Sequence, residues 1–191
     1  MARVLIVFES KYGQTEKIAK FISDRLLGQG HTVSLVNLAT GESQPPSNYD
    51  GVIVGAGIYM QRYLKNMERW VQTYAQTLRQ MPSALFTVCL AVMQKNAKVQ
   101  ADLHRISQRF SERTGWFPQK QATFAGALNY TQYGWFLKQF MSLISRSNGG
   151  AQDTSRDYEY TDWNEVIRFC DDFTRTLPAG RNLNPEIRGP L

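Results

Sequence analysis

The sequence predicts a doubly wound α/β domain: a five-stranded parallel sheet with helices on both faces. Two observations carry that prediction. Short apolar runs alternate along the chain with segments whose apolar residues recur every three or four positions, the pattern of repeated strand–helix units. The runs are continuous rather than alternating, as in strands covered on both faces. A length of 191 residues favours one domain, large enough to bury a core without disulfide staples.

Val4 to Phe8 is the first apolar run, rich in β-branched residues. After a short polar loop, Ile18, Ile22 and Leu26 recur at four-residue spacing with Ala19 on the same face, and Gly28 and Gly30 end that helix. Thr32 to Leu38 reads as the second strand, followed by a polar segment broken by Pro45 and Pro46. Tyr49 to Tyr59 is a buried strand entering a glycine-containing loop. Leu64 to Leu78 is helical, with Met67, Trp70, Val71 and Tyr74 on one side, and Met81-Pro82 breaks it. Ser83 to Val92 is the most apolar strand. Val99, Leu103, Ile106 and Phe110 mark the next helix, and Ala122 to Leu128 the fifth strand. The last helix starts near a Thr161-Asp162 cap and carries Trp163, Val166, Ile167, Cys170 and Phe173. These boundaries define a domain over residues 1–178, with an anomalous stretch at about 129–160, and a loose, proline-bearing tail at 179–191. Ordinary connections between such elements are about 2–6 residues, so the stretch between the last strand and last helix is an insertion with its own purpose.

The chain carries 22 basic against 16 acidic residues, a net charge of +6, which suits an acidic partner such as a lipid surface, a nucleic acid or an anionic ligand. Cys89 and Cys170 lie far apart within apolar patterns and outside any CxxC, and read as reduced, buried residues of a cytoplasmic protein. The N-terminus lacks the pattern of a signal peptide, and no apolar run approaches a bilayer-spanning length. His31 falls in a turn and His104 on a polar helix face, so no transition-metal set is evident; Asp153, Asp157 and Glu159 do not have calcium-loop spacing.

The loop Ser10-Lys11-Tyr12-Gly13-Gln14-Thr15 follows the first strand. In a doubly wound sheet that loop lies at the carboxyl edge, where ligands bind. The N–H groups opening the next helix suit a phosphate, with hydroxyls from Ser10 and Thr15, an amide from Gln14, and Gly13 allowing close backbone approach. Lys11 is expected to face solvent and raise the local potential. It is neither a Walker loop, lacking Gly-Lys-Ser/Thr, nor a GxGxxG fingerprint. The plainer account is an ordinary strand–turn–helix with Thr15 as cap. Gly55, Ala56, Gly57, Ile58 and Tyr59 end the third strand, and Leu90, Ala91 and Val92 the fourth, at the same edge. Gly55 and Gly57 would let backbone pass close to a flat ring on which Tyr59 stacks, unless Tyr59 is simply a rim aromatic.

"SKYGQT" followed by "IVGAGIY" resembles the flavodoxin superfamily, whose first loop has the form Ser/Thr-x-x-Gly-x-Thr. "MPSALFTVCLAV", "FAGALNYTQYGWFLKQFM" and "NGGAQDTSRDYEYTDW" sharpen this. They resemble the flavodoxin-type, menaquinone-dependent protoporphyrinogen oxidases of haem synthesis, from about Arg3 to Phe173. Tyr12 stands where an acidic residue is familiar in that family. The resemblance implies a flavodoxin-like fold and non-covalent FMN. By matching motifs its phosphate would contact Ser10, Lys11, Tyr12, Gly13, Gln14 and Thr15. Its ring would lie between Ala56, Gly57, Ile58, Tyr59 and Leu90, Ala91, Val92. It also implies oxidation of protoporphyrinogen IX, electron transfer to menaquinone or ubiquinone, and a peripheral position on the inner face of the cytoplasmic membrane. Nucleic acid is not implied. The alternatives are a diffusible flavodoxin-type electron carrier, another FMN-dependent quinone reductase, or a flavin-free scaffold.

The insertion sits where long flavodoxins carry one, at the fifth strand. It holds Tyr130, Tyr133, Trp135, Phe136, Phe140, Met141, Leu143 and Ile144, interleaved with Lys138 and Arg146. On a helix Phe136, Phe140, Leu143 and Ile144 would line one side, flanked by Leu137 and Met141, with Lys138, Ser142 and Ser145 on the other. That side either packs on the domain or meets a membrane or a greasy substrate. Tyr130, Tyr133, Trp135, Phe136, Lys138, Phe140 and Arg146 are the expected substrate or membrane contacts.

Overall fold

The structure is a computed structural model that describes residues 1–93, 96–128 and 158–178. Five parallel strands form one sheet in the order β2-β1-β3-β4-β5. They are β1 (Arg3–Glu9), β2 (Thr32–Asn37), β3 (Gly51–Gly57), β4 (Ser83–Val88) and β5 (Lys120–Phe124). Helices α1 (Gln14–Gly28), α2 (Lys65–Arg79), α3 (Ala97–Thr114) and α4 (Trp163–Thr174) cover it. The order reverses between β1 and β3, so the topological switch point lies at the carboxyl end of β1.

Alternation along β1 divides the core. Val4, Ile6 and Phe8 join Ile18, Ile22 and Leu26 of α1 and Val166, Phe169 and Phe173 of α4 on one face. Leu5 and Val7 join Met67, Trp70 and Val71 of α2 and Phe110 of α3 on the other. Every residue of β1 after Arg3 is buried, which is why the run reads as continuously apolar rather than alternating. Asp162 caps α4 as expected, accepting from the N–H groups of Asn164 at 2.9 Å and Glu165 at 3.4 Å.

Several boundaries differ from the sequence expectation. β4 stops at Val88, and Leu90–Met93 form a 3-10 turn closed by Val92 N–H donating to the Cys89 carbonyl. The fifth strand stops at Phe124 rather than running to Leu128. Once β4 has turned away, β5 has no parallel neighbour beyond Phe124. The carbonyls of Ala125 and Gly126 instead accept from the Thr161 hydroxyl and the Tyr160 N–H. Ala127–Leu128 (β6) then pairs antiparallel with Tyr158–Glu159 (β7). The insertion therefore leaves and returns through a short two-stranded ribbon. Residues 129–157, and with them Tyr130, Tyr133, Trp135, Phe136, Lys138, Phe140 and Arg146, lie outside the described residues, as does the tail at 179–191.

Trp116 is fully buried, its indole N–H donating to Ser83 Oγ at 3.1 Å, which donates in turn to the Leu78 carbonyl. Cys170 is buried, and burial pushes its thiol up to about 12. Cys89 is only half-buried, because it stands at the exit of β4 rather than inside it. Among the described residues no helix is long and apolar enough to cross a membrane.

Candidate cofactor site

The ends of β1, β3 and β4 lie level: Glu9 pairs with Ala56, and Gly57 with Val88. The three segments expected to hold the cofactor therefore emerge side by side at the switch point.

Ser10 to Gly13 form the loop from β1 to α1. Gly13 is the N-cap residue with φ +90°, a left-handed conformation that favours glycine. No side chain caps α1, so Thr15 is not its cap. The first N–H groups of a helix have no intrahelical acceptor, and here they face the carboxyl edge with their partial positive charge. The Ser10 hydroxyl accepts from the Gly13 N–H at 3.0 Å, which curls the loop into a nest. Thr15 is buried beneath it, 3.4 Å from where a Cβ on Gly57 would stand, so the start of α1 touches the end of β3. Gln14 behaves differently from the expectation. Its side-chain amide donates to Glu159 Oε1 at 3.0 Å and to Thr161 Oγ1 at 2.8 Å, leaving its backbone N–H for an anion.

Lys11 is exposed, but its ammonium folds back 3.8 Å over the Tyr59 ring and 5.4 Å from the Tyr12 ring. The Tyr12 and Tyr59 rings are 5.9 Å apart at 48°. The hydrogen bond from Tyr12, aided by Lys11, holds the Tyr59 phenol below its usual range. Burial and Tyr59 push Tyr12 up, and the Tyr59 hydroxyl raises Lys11. This cluster keeps a fixed positive charge where the β1–α1 loop meets the β3 loop.

Ala56 is buried, while Gly57, Ile58 and Tyr59 are half-buried at the edge, with Ile58 N–H donating to the Val88 carbonyl at 3.1 Å. Tyr59 and Arg62 exchange both backbone hydrogen bonds across a two-residue turn. Met60 and Gln61 take φ of 47° and 62° there, the left-handed pair that such a hairpin demands and that Asn-Gly usually fills. Leu90, Ala91 and Val92 are half-buried on the facing turn. Gly55 has another reason than the one expected: a Cβ there would overlap the Phe86 ring, so this glycine serves the core.

Two residues at this edge escaped the sequence reading. Glu9 is 7% exposed and accepts from Met67 N–H at 2.9 Å and Asn66 Nδ2 at 3.0 Å, holding the positive end of α2 against β1. A carboxylate closing an apolar run was the available signal. Tyr63 is buried with its hydroxyl 2.9 Å from Thr87 Oγ1, and burial raises its phenol.

Residues 5–155 match the flavodoxin domain family. The chain belongs to that family. Among relatives of this flavodoxin domain is the protoporphyrinogen IX dehydrogenase [quinone] of Escherichia coli strain K12. It is 33% identical over 168 residues, 88% of this chain and 92% of that one. A protein of the same name from Leishmania major is 30% identical over 185 residues, 96% of this chain and 79% of that one. Of solved structures, oxidised flavodoxin 1 from Bacillus cereus superposes with a TM-score of 0.55 at 14% identity, covering 92% of this chain and 99% of that one. That likeness speaks for the fold, and the five-strand parallel order agrees with it.

Proposed function

We propose that this protein is an FMN-dependent oxidoreductase of haem biosynthesis, oxidising protoporphyrinogen IX to protoporphyrin IX with a membrane quinone as acceptor. The observation that carries the reading is the 33% identity to a protoporphyrinogen IX dehydrogenase [quinone], which extends over 168 residues, 88% of this chain.

The residues present fit FMN. An uncapped helix N-terminus behind a left-handed glycine suits a phosphate, and three level strand ends leave one continuous edge for an attached ring. When bound, FMN supplies acceptance of a hydride and donation of electrons singly or in pairs. The chain's own part is to bind, orient and shield. Gly13 and the first N–H groups of α1 hold the phosphate. Gly57, Ile58 and Tyr59 on one side, and Leu90, Ala91 and Val92 on the other, orient the ring and exclude water. Lys11, steadied by Tyr12 and Tyr59, offers positive charge at the rim to the ring or to a substrate carboxylate. The quinone is lipid-borne, so the working protein sits peripherally on the inner face of the cytoplasmic membrane.

A diffusible electron carrier is the reading that the fold alone supports, and the net charge of +6 disfavours docking on basic reductases. Anaerobic mixing of the purified yellow protein with protoporphyrinogen IX and a menaquinone analogue separates the two. Porphyrin fluorescence is expected to rise faster than without protein. No acceleration by FMN-loaded protein would overturn the enzymatic reading, and a colourless protein that takes up no added FMN would overturn the cofactor assignment.

A further inference from the structure

We infer that Gln14 is a positioning residue that couples the cofactor's phosphate loop to the two legs of the insertion. The inference rests on the reading of Ser10 to Thr15 as an FMN phosphate loop. Gln14 opens α1, and its backbone belongs to that loop. Its side-chain amide turns away, to Glu159 of β7 at 3.0 Å and to the Thr161 hydroxyl at 2.8 Å. Thr161 is 8% exposed and passes the link on, donating to the Ala125 carbonyl at 2.8 Å. Ala125 directly follows β5, on the leg that enters the insertion. One side chain on the first turn of α1 thus gathers the outgoing and the returning leg.

The link is reinforced one turn along. Lys17 Nζ stands 2.7 Å from Glu159 Oε2 and 5.5 Å over the Trp163 ring, so Glu159 sits beside a compensating charge rather than bare against an incoming phosphate. Tyr160 N–H closes the base of the ribbon on the Gly126 carbonyl at 3.2 Å. A phosphate seated on the N–H groups of α1 fixes the Gln14 backbone, and so narrows the positions its side chain samples. The ribbon base gains order from the same event. Ordering that is shared between two sites gives positive coupling, and the coupling is reciprocal. Occupancy of the phosphate loop therefore tightens the mouth of the insertion, and the grip of Glu159 on Gln14 tightens cofactor binding.

Residue-resolved amide hydrogen exchange on the full chain, with and without saturating FMN, reads the coupling at Tyr160. FMN is expected to slow Tyr160 exchange by roughly 5-fold or more, the lower end of ordinary coupling between sites. Glu159→Ala lies outside the phosphate loop, so it is the decisive variant. It should weaken FMN binding, measured by flavin fluorescence titration, by roughly the same factor and abolish the FMN-dependent slowing. Gln14→Ala should do both, and combining the two should add little beyond either alone. A merely structural role would change Tyr160 exchange equally with and without FMN and leave the ratio intact. An unchanged ratio with unchanged FMN affinity in Glu159→Ala would overturn the coupling while leaving the FMN site standing. Failure of the unaltered protein to bind FMN would instead overturn the site reading on which the coupling rests.

Discussion

The two ends of the cofactor edge are built in opposite ways. At the end proposed for the phosphate, geometry is set by backbone: a left-handed Gly13, an uncapped helix start and a buried Thr15. At the end proposed for the ring, geometry is set by half-buried side chains on a tight hairpin and a 3-10 turn, with Met60 and Gln61 held in a conformation that non-glycine residues rarely adopt. A phosphate presents the same chemistry to every protein, so main-chain N–H groups suffice to hold it. A ring that must admit a substrate and have its electronics tuned is met by side chains, which vary without disturbing the sheet. The strain at Met60 and Gln61 lies at the end proposed for the ring.

The sharpest break of this comparison is at Gly13. Gly13→Val forces a β-branched residue to φ +90°, at a cost of about 1–3 kcal/mol. Open space surrounds that position, so the penalty is conformational rather than a clash. FMN affinity is expected to fall by roughly tenfold or more on fluorescence titration. Affinity equal to the unaltered protein would show that the phosphate end does not depend on its backbone.

Glu9→Ala comes next. It leaves Met67 N–H without its acceptor beside a buried site, and is expected to destabilise the fold by about 1–3 kcal/mol in urea unfolding. Because Glu9 faces α2 rather than the nest, stability should change more than FMN affinity. The reverse ranking would make Glu9 part of the cofactor site.

Gln61→Gly sharpens the other side. Relief of one left-handed non-glycine residue is expected to stabilise the protein by about 1 kcal/mol. The melting temperature should rise by roughly 2–4 °C. A fall would mean that Gln61 makes interactions worth more than its strain.

Cys170 belongs to neither end and serves as the control. Its native pKa of about 12 exceeds the ordinary value of 9.0. The native state therefore holds the proton more tightly, and the stability this confers, complete below pH 9, is lost as pH rises toward 12. Cys170→Ala should flatten that alkaline loss and leave FMN affinity at neutral pH unchanged. An unaltered alkaline slope would assign the loss to another group.

How much of this was legible from residues alone follows from what each feature depends on. The strand–loop–helix at Ser10 to Thr15 was readable because apolar periodicity and one glycine are local signals. The Asp162 cap was readable for the same reason. Gly55 was misread because its need arises from the Phe86 ring on a neighbouring strand. The end of β5 was overrun because the apolar residues continue past Phe124, while the hydrogen-bonding partner changes from β4 to residues 158–161. The engagement of Gln14 with Glu159 spans 145 positions and has no local signature at all. Local chemistry located the loop between β1 and α1, and long-range contacts decided what its side chains do.

Flavin at this edge is proposed to take electrons from a porphyrinogen and give them to a quinone. Stopped-flow absorbance of the FMN-loaded protein, kept anaerobic, tests both halves in sequence. The account predicts that protoporphyrinogen IX bleaches the oxidised-flavin band as porphyrin appears, and that a menaquinone analogue then restores it. Flavin that stays oxidised against protoporphyrinogen IX, while chemical reductants bleach it normally, would contradict the account.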